Sequence, residues 1–420
     1  FHKMKRMRTK RFIAMAAALI ISSVAVTAQT KQWSLTDCIG YALEKNIQVR
    51  KAGVSVSLGE LSLQQSKDNM LPSLSASLSE NLGWRLETGA SDETSLVGSS
   101  RTNASLSSGL TLFNGFQLRN QVRQAGLDLK SLQYSADQTT ESVSLNIMSA
   151  YLQVLYSEEQ VINARNQAEA TREELALAAE RLTLGAIANS DYLQVKTQLA
   201  SEESSLATAV NNLKMAKLNL MQLMEYPVDE SFEIARPDID AFISTAPAAD
   251  AVSVYQEALE VKPQIKIASI NRENASIDLE MARAGFLPSL SLSAGMSTGF
   301  TEAAEMGAQL KNGFSPSVGL SASVPIFRNN QNKTAVSRAK YGITTAELDE
   351  LNTRNQLRKE VEQAVLDAES ALISYQAALN RYDSSVETYN LSEEKFKLGA
   401  MNSVDFLIQK TNLTAAESNL

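Results

Sequence analysis

Carboxylates are the side chains in this sequence whose placement could do electrostatic work. Asp191 and Asp405 hold the same position in two copies of one stretch, RLTLGAIANSDYLQVKTQL at Arg181–Leu199 and KFKLGAMNSVDFLIQKTNL at Lys395–Leu413. Like charges crowded into a confined passage concentrate cations and exclude anions. Alternatively, each aspartate is a first-turn helix residue that faces away from any passage and serves only the helix dipole. A duplication preserves either role, so both readings stand. Other chemistry is thinly represented. The only histidine is His2, the only cysteine is Cys38, and neither a Gly-rich phosphate loop nor a cluster with metal-ligand spacing is present. Acid pairs along the helical runs have the spacing of solvated faces. The sequence predicts no catalytic residue, no metal and no cofactor.

The two copies also define the elements that must carry those aspartates. Leu184-Gly185-Ala186 falls on Leu398-Gly399-Ala400, and Lys196-Thr197 on Lys410-Thr411. Each copy follows a long proline-free helical run and opens another. Glycine most readily adopts the left-handed conformation that ends a helix. Each copy therefore predicts the tight tip of a helical hairpin. An exposed apolar tip is best explained as a docking surface, the alternative being a tip that packs against its neighbours.

The chain has 420 residues, 44% of them hydrophobic and only 6% aromatic, an alanine- and leucine-rich balance that suits long helices. Residues 1–28 have the pattern of a secretory signal: six basic residues up to Arg11, an apolar run at Phe12–Val26, and Val26-Thr27-Ala28 as a small-residue cleavage site. As a transmembrane anchor that run would be short. Without it, 33 basic residues face 47 acidic ones, a net charge of −14 that excludes a nucleic-acid partner. One cysteine allows no intrachain disulfide, and Cys38 reads as a small buried side chain.

From Ser34 the sequence is helix-compatible to Met70, with Ser34 or Thr36 as cap, and Leu71-Pro72 ends it. The apolar period then changes to two. Leu74, Ala76, Leu78 and Leu82 alternate with Ser73, Ser75, Ser77 and Asn81, and Ala104, Leu106, Leu110 and Leu112 with Ser105, Ser107, Gly109 and Thr111. This predicts two strands of about ten residues joined by a polar loop at 87–101. Glu80 falls in the apolar phase, as a bulge or a slipped register would place it. After Phe113-Asn114-Gly115 a helix is expected from about Phe116 to Arg181, on the order of 100 Å long. Its seam of Val143, Ile147, Ala150, Val154, Ser157, Val161, Ala164, Ala168, Thr171, Leu175, Ala178 and Leu182 suits coiled-coil packing with small knobs. A second helix returns from about Asn189 to Met224.

The chain then repeats itself. At an offset of 216, Leu71-Pro72-Ser73-Leu74-Ser75 falls on Leu287-Pro288-Ser289-Leu290-Ser291; at 214, Phe113 falls on Phe327 and the long seam recurs from Leu357 to Phe396. Strands are expected at Leu290–Phe300 and Phe314–Ile326. The predicted organisation is a signal peptide at 1–28 and a first repeat at 29–224, with a strand hairpin at 73–113 and a helical hairpin at 116–224. A linker at 225–250 follows, then a second repeat at 251–420, with a strand hairpin at 289–327 and a helical hairpin at 329–420 that reads as cut short at its C-terminus.

Strands with one oily and one hydroxyl-rich face suit an outer-membrane barrel, with lipid on one side and a wet lumen on the other. Four strands cannot close such a barrel, and an open edge in lipid leaves backbone groups unpaired. A dimer supplies eight strands and a trimer twelve, and strand count alone admits both.

Signal peptide, duplicated helix–hairpin–helix units, the Leu-Pro-Ser-Leu turn into the strands and a Leu-Gly-x tip ahead of an aspartate together resemble the TolC family, over essentially Trp33–Leu420. That resemblance implies an α+β membrane protein and a homotrimer whose twelve-stranded β-barrel continues as a twelve-helix periplasmic α-barrel. It implies an equatorial region formed partly by 225–250, and Asp191 and Asp405 at the constricted periplasmic end. The tips at Leu184, Gly185 and Ala186 and at Leu398, Gly399 and Ala400 would meet a periplasmic adaptor protein. The function it implies is the exit duct of a drug-efflux pump or type I secretion system, working with that adaptor and an inner-membrane pump in the outer membrane of a Gram-negative bacterium. Phe396 and Met401 stand where the best-known member carries a gate-closing tyrosine and arginine, so a gate locked by those polar contacts is not expected. The rival reading is a periplasmic adaptor or structural coiled coil, which would carry one helical hairpin within compact β domains.

Overall fold

The computed structural model describes residues 32–88, 93–237, 250–301, 309 and 313–420. The expected signal peptide and residues 238–249 of the expected linker lie outside them. The chain divides into two compact units, one within Phe1–Ile47, Ser142–Pro247 and Leu372–Leu420, the other within Gln48–Glu141 and Ala248–Ala371.

The second unit contains a four-stranded antiparallel sheet in the order Ser73–Thr88, Thr94–Asn114, Ser289–Thr301, Ser315–Ser323. These strands are β2, β3, β5 and β6 in turn. The first two are longer than their sequence suggests, at 16 and 21 residues, and most of the polar stretch expected as a loop is paired strand up to Thr88↔Thr94. Alternation persists there in thinner form, since Leu86 faces Leu96 and Arg85 faces Val97. β6 stops at Ser323, short of the expected Ile326, and Pro325 explains it because proline has no N–H for a ladder.

The register sorts the side chains into two faces. Leu78 lies opposite Ala104, Ala76 opposite Leu106, Leu106 opposite Met296, and Leu292 opposite Leu320, all on one face. The other face is a hydroxyl ladder: Ser75 and Ser107 oxygens lie 2.8 Å apart, Ser77 and Ser105 2.7 Å, and Ser291 and Ser321 2.7 Å. Glu80 stands on the apolar face with no bulge and no slip, because the β2–β3 ladder is regular throughout. The hydroxyls of Ser100 and Thr102 donate to its two oxygens, and these bonds account for a carboxylate in that phase. Every residue of β2 and β6 is exposed.

Where β3 meets its helix, Gly115 has φ +67°, and an added Cβ would lie 2.9 Å from the Ala284 carbonyl oxygen, so only glycine fits. At the same place in the second repeat Asn329 and Asn330 take positive φ, as asparagine tolerates.

The helices leading into the strands are each broken, whereas the sequence reads the first as continuous to Met70. α1 (Leu35–Lys45) ends at Asn46, and α2 (Ile47–Asp68) follows. In the second repeat α5 (Ala251–Val261) gives way at Lys262 to α6 (Pro263–Ala284). Asn46 holds the first break by donating to the Leu223 carbonyl at 2.8 Å; Pro263 makes the second, since proline suits a first helical position and no interior one. Ser34 caps α1 in a capping box with Asp37. Cys38 and Ala42 are fully buried.

Four further helices complete the chain: α3 (Gln117–Thr183), α4 (Asn189–Met224), α7 (Gln331–Lys397) and α8 (Ser403–Asn419). In the first unit α3 lies between two neighbours. Gln167 donates to Glu202 of α4 at 3.1 Å and accepts from Thr414 of α8 at 3.0 Å. The seam of α3 is accordingly buried at Val143, Ile147, Val154, Ala168 and Thr171. The α7 seam is buried at Leu357 and Ser392, but Ala364, Ala368 and Ala371 are exposed, contrary to the repeated pattern.

Also in this unit, β1 (Gln32–Trp33) pairs in parallel with β4 (Glu233–Ile234). Tyr151 of α3 donates its hydroxyl to the Ala235 carbonyl, with the Trp33 carbonyl 3.2 Å away. Trp33 packs edge-on against Tyr41 and Tyr226, with ring centroids 5.5 and 5.3 Å distant.

Candidate functional site

The expected tips are where α3 meets α4 and where α7 meets α8. Gly185 and Gly399 take φ of +71° and +73°. Gly185 N–H donates to the Leu182 carbonyl at 3.0 Å and Ala186 N–H to that of Arg181 at 2.9 Å. Gly399 and Ala400 repeat this with Phe396 and Lys395, at 3.1 and 2.8 Å. These paired bonds satisfy the last carbonyls of each helix, the arrangement that a left-handed glycine permits. Leu184, Gly185, Ala186, Leu398, Gly399 and Ala400 are all exposed, Leu184 at 75% and Leu398 at 83% of full exposure.

A cavity of about 410 Å³ opens between the tips. Ala178, Arg181, Ala186 and Asp191 line it from the first hairpin; Phe396, Gly399, Met401 and Phe406 line it from the second. Its floor is aromatic: Phe396 stacks on Phe406 with centroids 4.7 Å apart, and the Arg181 guanidinium lies 5.5 Å from the Phe396 ring centre. Phe396 thus joins the hairpins through its ring face.

The two aspartates do not occupy equivalent surroundings. Asp405 is engaged by Asn402, the N-cap of α8, and lies outside the cavity lining. The N-cap of α4 is Ala188, which offers no side-chain cap, and half-buried Asp191 lines the cavity. The lysines of the motif diverge as well. Lys196 is exposed, whereas Lys410 is 3% exposed and donates to Thr171 Oγ1 at 2.8 Å and Glu174 Oε1 at 2.9 Å. Sequence reading passes over Lys410 because its motif neighbours are shared. The signal lies elsewhere: Glu174 has Thr388 at the equivalent place in the second copy. Beside this pair, burial and the carboxylates of Glu174, Glu393 and Glu417 push the Tyr389 hydroxyl up to about 12. Among the described residues no group of histidine, cysteine or acidic side chains is placed to hold a metal.

The family model of outer membrane efflux proteins matches residues 38–224 and 254–420. The chain belongs to the outer membrane efflux protein family. The match spans both repeats, and with it the strand pairs and the helical tips. The chain is similar to the outer membrane protein TolC of Escherichia coli, 24% identical over 352 residues that cover 80% of this chain and 68% of that one. It is similar also to the outer membrane efflux protein BepC of Brucella suis, 21% identical over 83% of this chain and 73% of that one. Among solved structures, the CmeC outer membrane channel of Campylobacter jejuni superposes with a TM-score of 0.75 at 19% identity, covering 91% of this chain and 81% of that one. As an outer membrane efflux protein the chain is an exit duct of the outer membrane, built from mixed helix and strand, and not an enzyme.

Proposed function

We propose that three copies of the chain close a twelve-stranded barrel in the outer membrane and carry it into the periplasm as a twelve-helix tube. Residues 29–224 and 251–420 would act as its two repeats, joined through 225–250. The observation behind this reading is the four-stranded sheet, apolar on one face and hydroxyl-bearing on the other, with β2 and β6 as edges unpaired among the described residues. In lipid those edges need partners, and a ring of copies supplies them. The apolar face meets lipid and the serine ladder lines the lumen. The exposed tips dock a periplasmic adaptor that links the duct to an inner-membrane pump, and Asp191 and Asp405 gather near the axis of the periplasmic end.

Two measurements test this. The protein should fractionate with outer membranes and run as a heat-modifiable trimer; a heat-insensitive monomer band would overturn the ring. Cysteines introduced at Ala186 and Ala400 should crosslink in cells to an adaptor. Crosslinks formed only between copies of this chain would make the tips a packing contact instead.

A further inference from the structure

The duplication supplies more than a family likeness, because it carries one observed strand ladder onto an edge that has no strand partner among the described residues. Residues of β2 fall on those of β5 at an offset of 216: Leu74 on Leu290, Glu80 on Met296, Trp84 on Phe300. Residues of β3 fall on those of β6 at 214: Leu106 on Leu320, Ser107 on Ser321, Phe113 on Phe327. Both hairpins have the same register under these offsets. Ser73 pairs with Gly109, and their counterparts Ser289 and Ser323 pair with each other.

The β3–β5 ladder joins the second strand of one hairpin to the first strand of the next hairpin along. The equivalent junction for β6 is the β2 of another copy. Leu106 pairs with Met296; adding 214 to the first number and subtracting 216 from the second gives Leu320 and Glu80. We propose that β6 of one copy pairs antiparallel with β2 of the next, with Leu320 opposite Glu80 of the neighbouring copy. This rests on the ring proposed above, but not on the number of copies in it.

The register runs over all of β6, from Ser315 opposite Arg85 to Ser323 opposite Ser77. The shift in the β3–β5 ladder between Thr111 and Phe113 transfers to Pro325 and Phe327, beyond the end of β6. The register also passes a check it was not built to meet. On the polar face it sets Ser321 against Ser79 and Ser323 against Ser77, continuing the hydroxyl pairs seen within the chain. On the apolar face it sets Val318 against Leu82 and Pro316 against Trp84. Glu80 needs nothing from the seam, because Ser100 and Thr102 on its other side already serve its carboxylate.

Paired cysteines read this register. Residues directly opposite in an antiparallel pair have Cα atoms about 4.5–5.5 Å apart, within disulfide reach. Diagonal neighbours stand about 7–8 Å apart, beyond it. Within one chain β2 and β6 are three strand spacings apart, about 14 Å, so any disulfide joins two copies. Chains carrying Ser79→Cys with Ser321→Cys, or Ser77→Cys with Ser323→Cys, should oxidise in outer membranes to covalent oligomers. Their yield should be at least ten-fold above that of Ser77→Cys with Ser321→Cys or Ser79→Cys with Ser323→Cys. Two in-register pairs keep the test standing if one variant folds poorly. Equal or better linking by the off-register pairs would overturn the register and leave the ring intact. Heat-modifiable oligomers without any link would overturn the β2–β6 seam, and a parent chain that forms no oligomer would remove the ring itself.

Discussion

Asn402 and Asp405 hold each other: the Asn402 side-chain oxygen accepts the Asp405 backbone N–H at 2.8 Å, and its amide nitrogen donates to the Asp405 carboxylate at 2.8 Å. Ala188 occupies the matching place at the first tip and makes no such bond. The cap gives Asp405 a structural task that Asp191 lacks. Asn402→Ala should therefore cost about 1 kcal/mol of stability at the second tip. In planar bilayers under a salt gradient, Asp191→Asn should weaken cation preference more than Asp405→Asn, and the double variant should lose it and gain conductance. A double variant as cation-selective as the parent would move the filter elsewhere.

Leu106 lies between Ala76 and Met296 on the apolar face. Leu106→Arg should cost about 2–4 kcal/mol if the site sits near the bilayer midplane, with a matching fall in trimer yield. Replacing Ser107, one residue on and facing the other way, should leave the yield unchanged. An undiminished trimer from Leu106→Arg would reverse the assignment of the faces.

Lys410 and Lys196 give a matched pair. Removing one partner of a buried ion pair leaves the other uncompensated, at about 3–5 kcal/mol when both are fully desolvated. The Glu174 side chain retains 25% of its exposure, so Lys410→Ala should fall near or below the lower end of that range. Lys196→Ala should stay within about 0.5 kcal/mol, as for an ordinary surface position. Urea titration of the helical signal measures both, and equal costs would show that Lys410 does not join the two hairpins.

Tyr389 provides a pH signature. Its folded value of about 12 lies above the ordinary 10, so the folded state disfavours the phenolate. The stability it contributes is fully present below pH 10 and is lost as pH rises towards 12. Tyr389→Phe keeps the ring, 5.6 Å from that of Phe406, and should flatten this part of the alkaline unfolding curve. A curve of unchanged steepness between pH 10 and 12 would assign the loss to other groups.

Features fixed by local chemistry are legible in the sequence, and those fixed by distant neighbours are not. The tips are legible because a left-handed turn singles out Gly185 and Gly399, and the two sheet faces because a period of two survives from Leu74 to Leu82. The break at Asn46 leaves no mark in its own repeat. Pro263 marks it in the other, at the place of Ile47, so only reading across the duplication finds it. Strand beyond Trp84 is hidden because polar residues occupy both faces where pairing continues. Ala364, Ala368 and Ala371 continue the periodicity of a buried seam and yet are exposed, because burial depends on what lies alongside and periodicity records only which face would be covered. Lys410 is the sharpest case: its neighbours match those of Lys196, and the difference lies at Glu174, in another helix.

The hydrogen bond from Tyr151 to Ala235, with Trp33 beside it, ties three points far apart in the chain. Gln32 finds its ladder partner at Glu233, roughly two hundred residues later, and closing so long a loop carries an entropic cost before any contact repays it. A chain delivered amino end first therefore exposes Trp33 well before its last partners arrive. Low-order local contacts let α3 and α4 form early, whereas the β1–β4 pair is slow by construction. Until Tyr226 and Ala235 have emerged, Trp33, which ends only 7% exposed, lacks the partners that cover it in the folded chain.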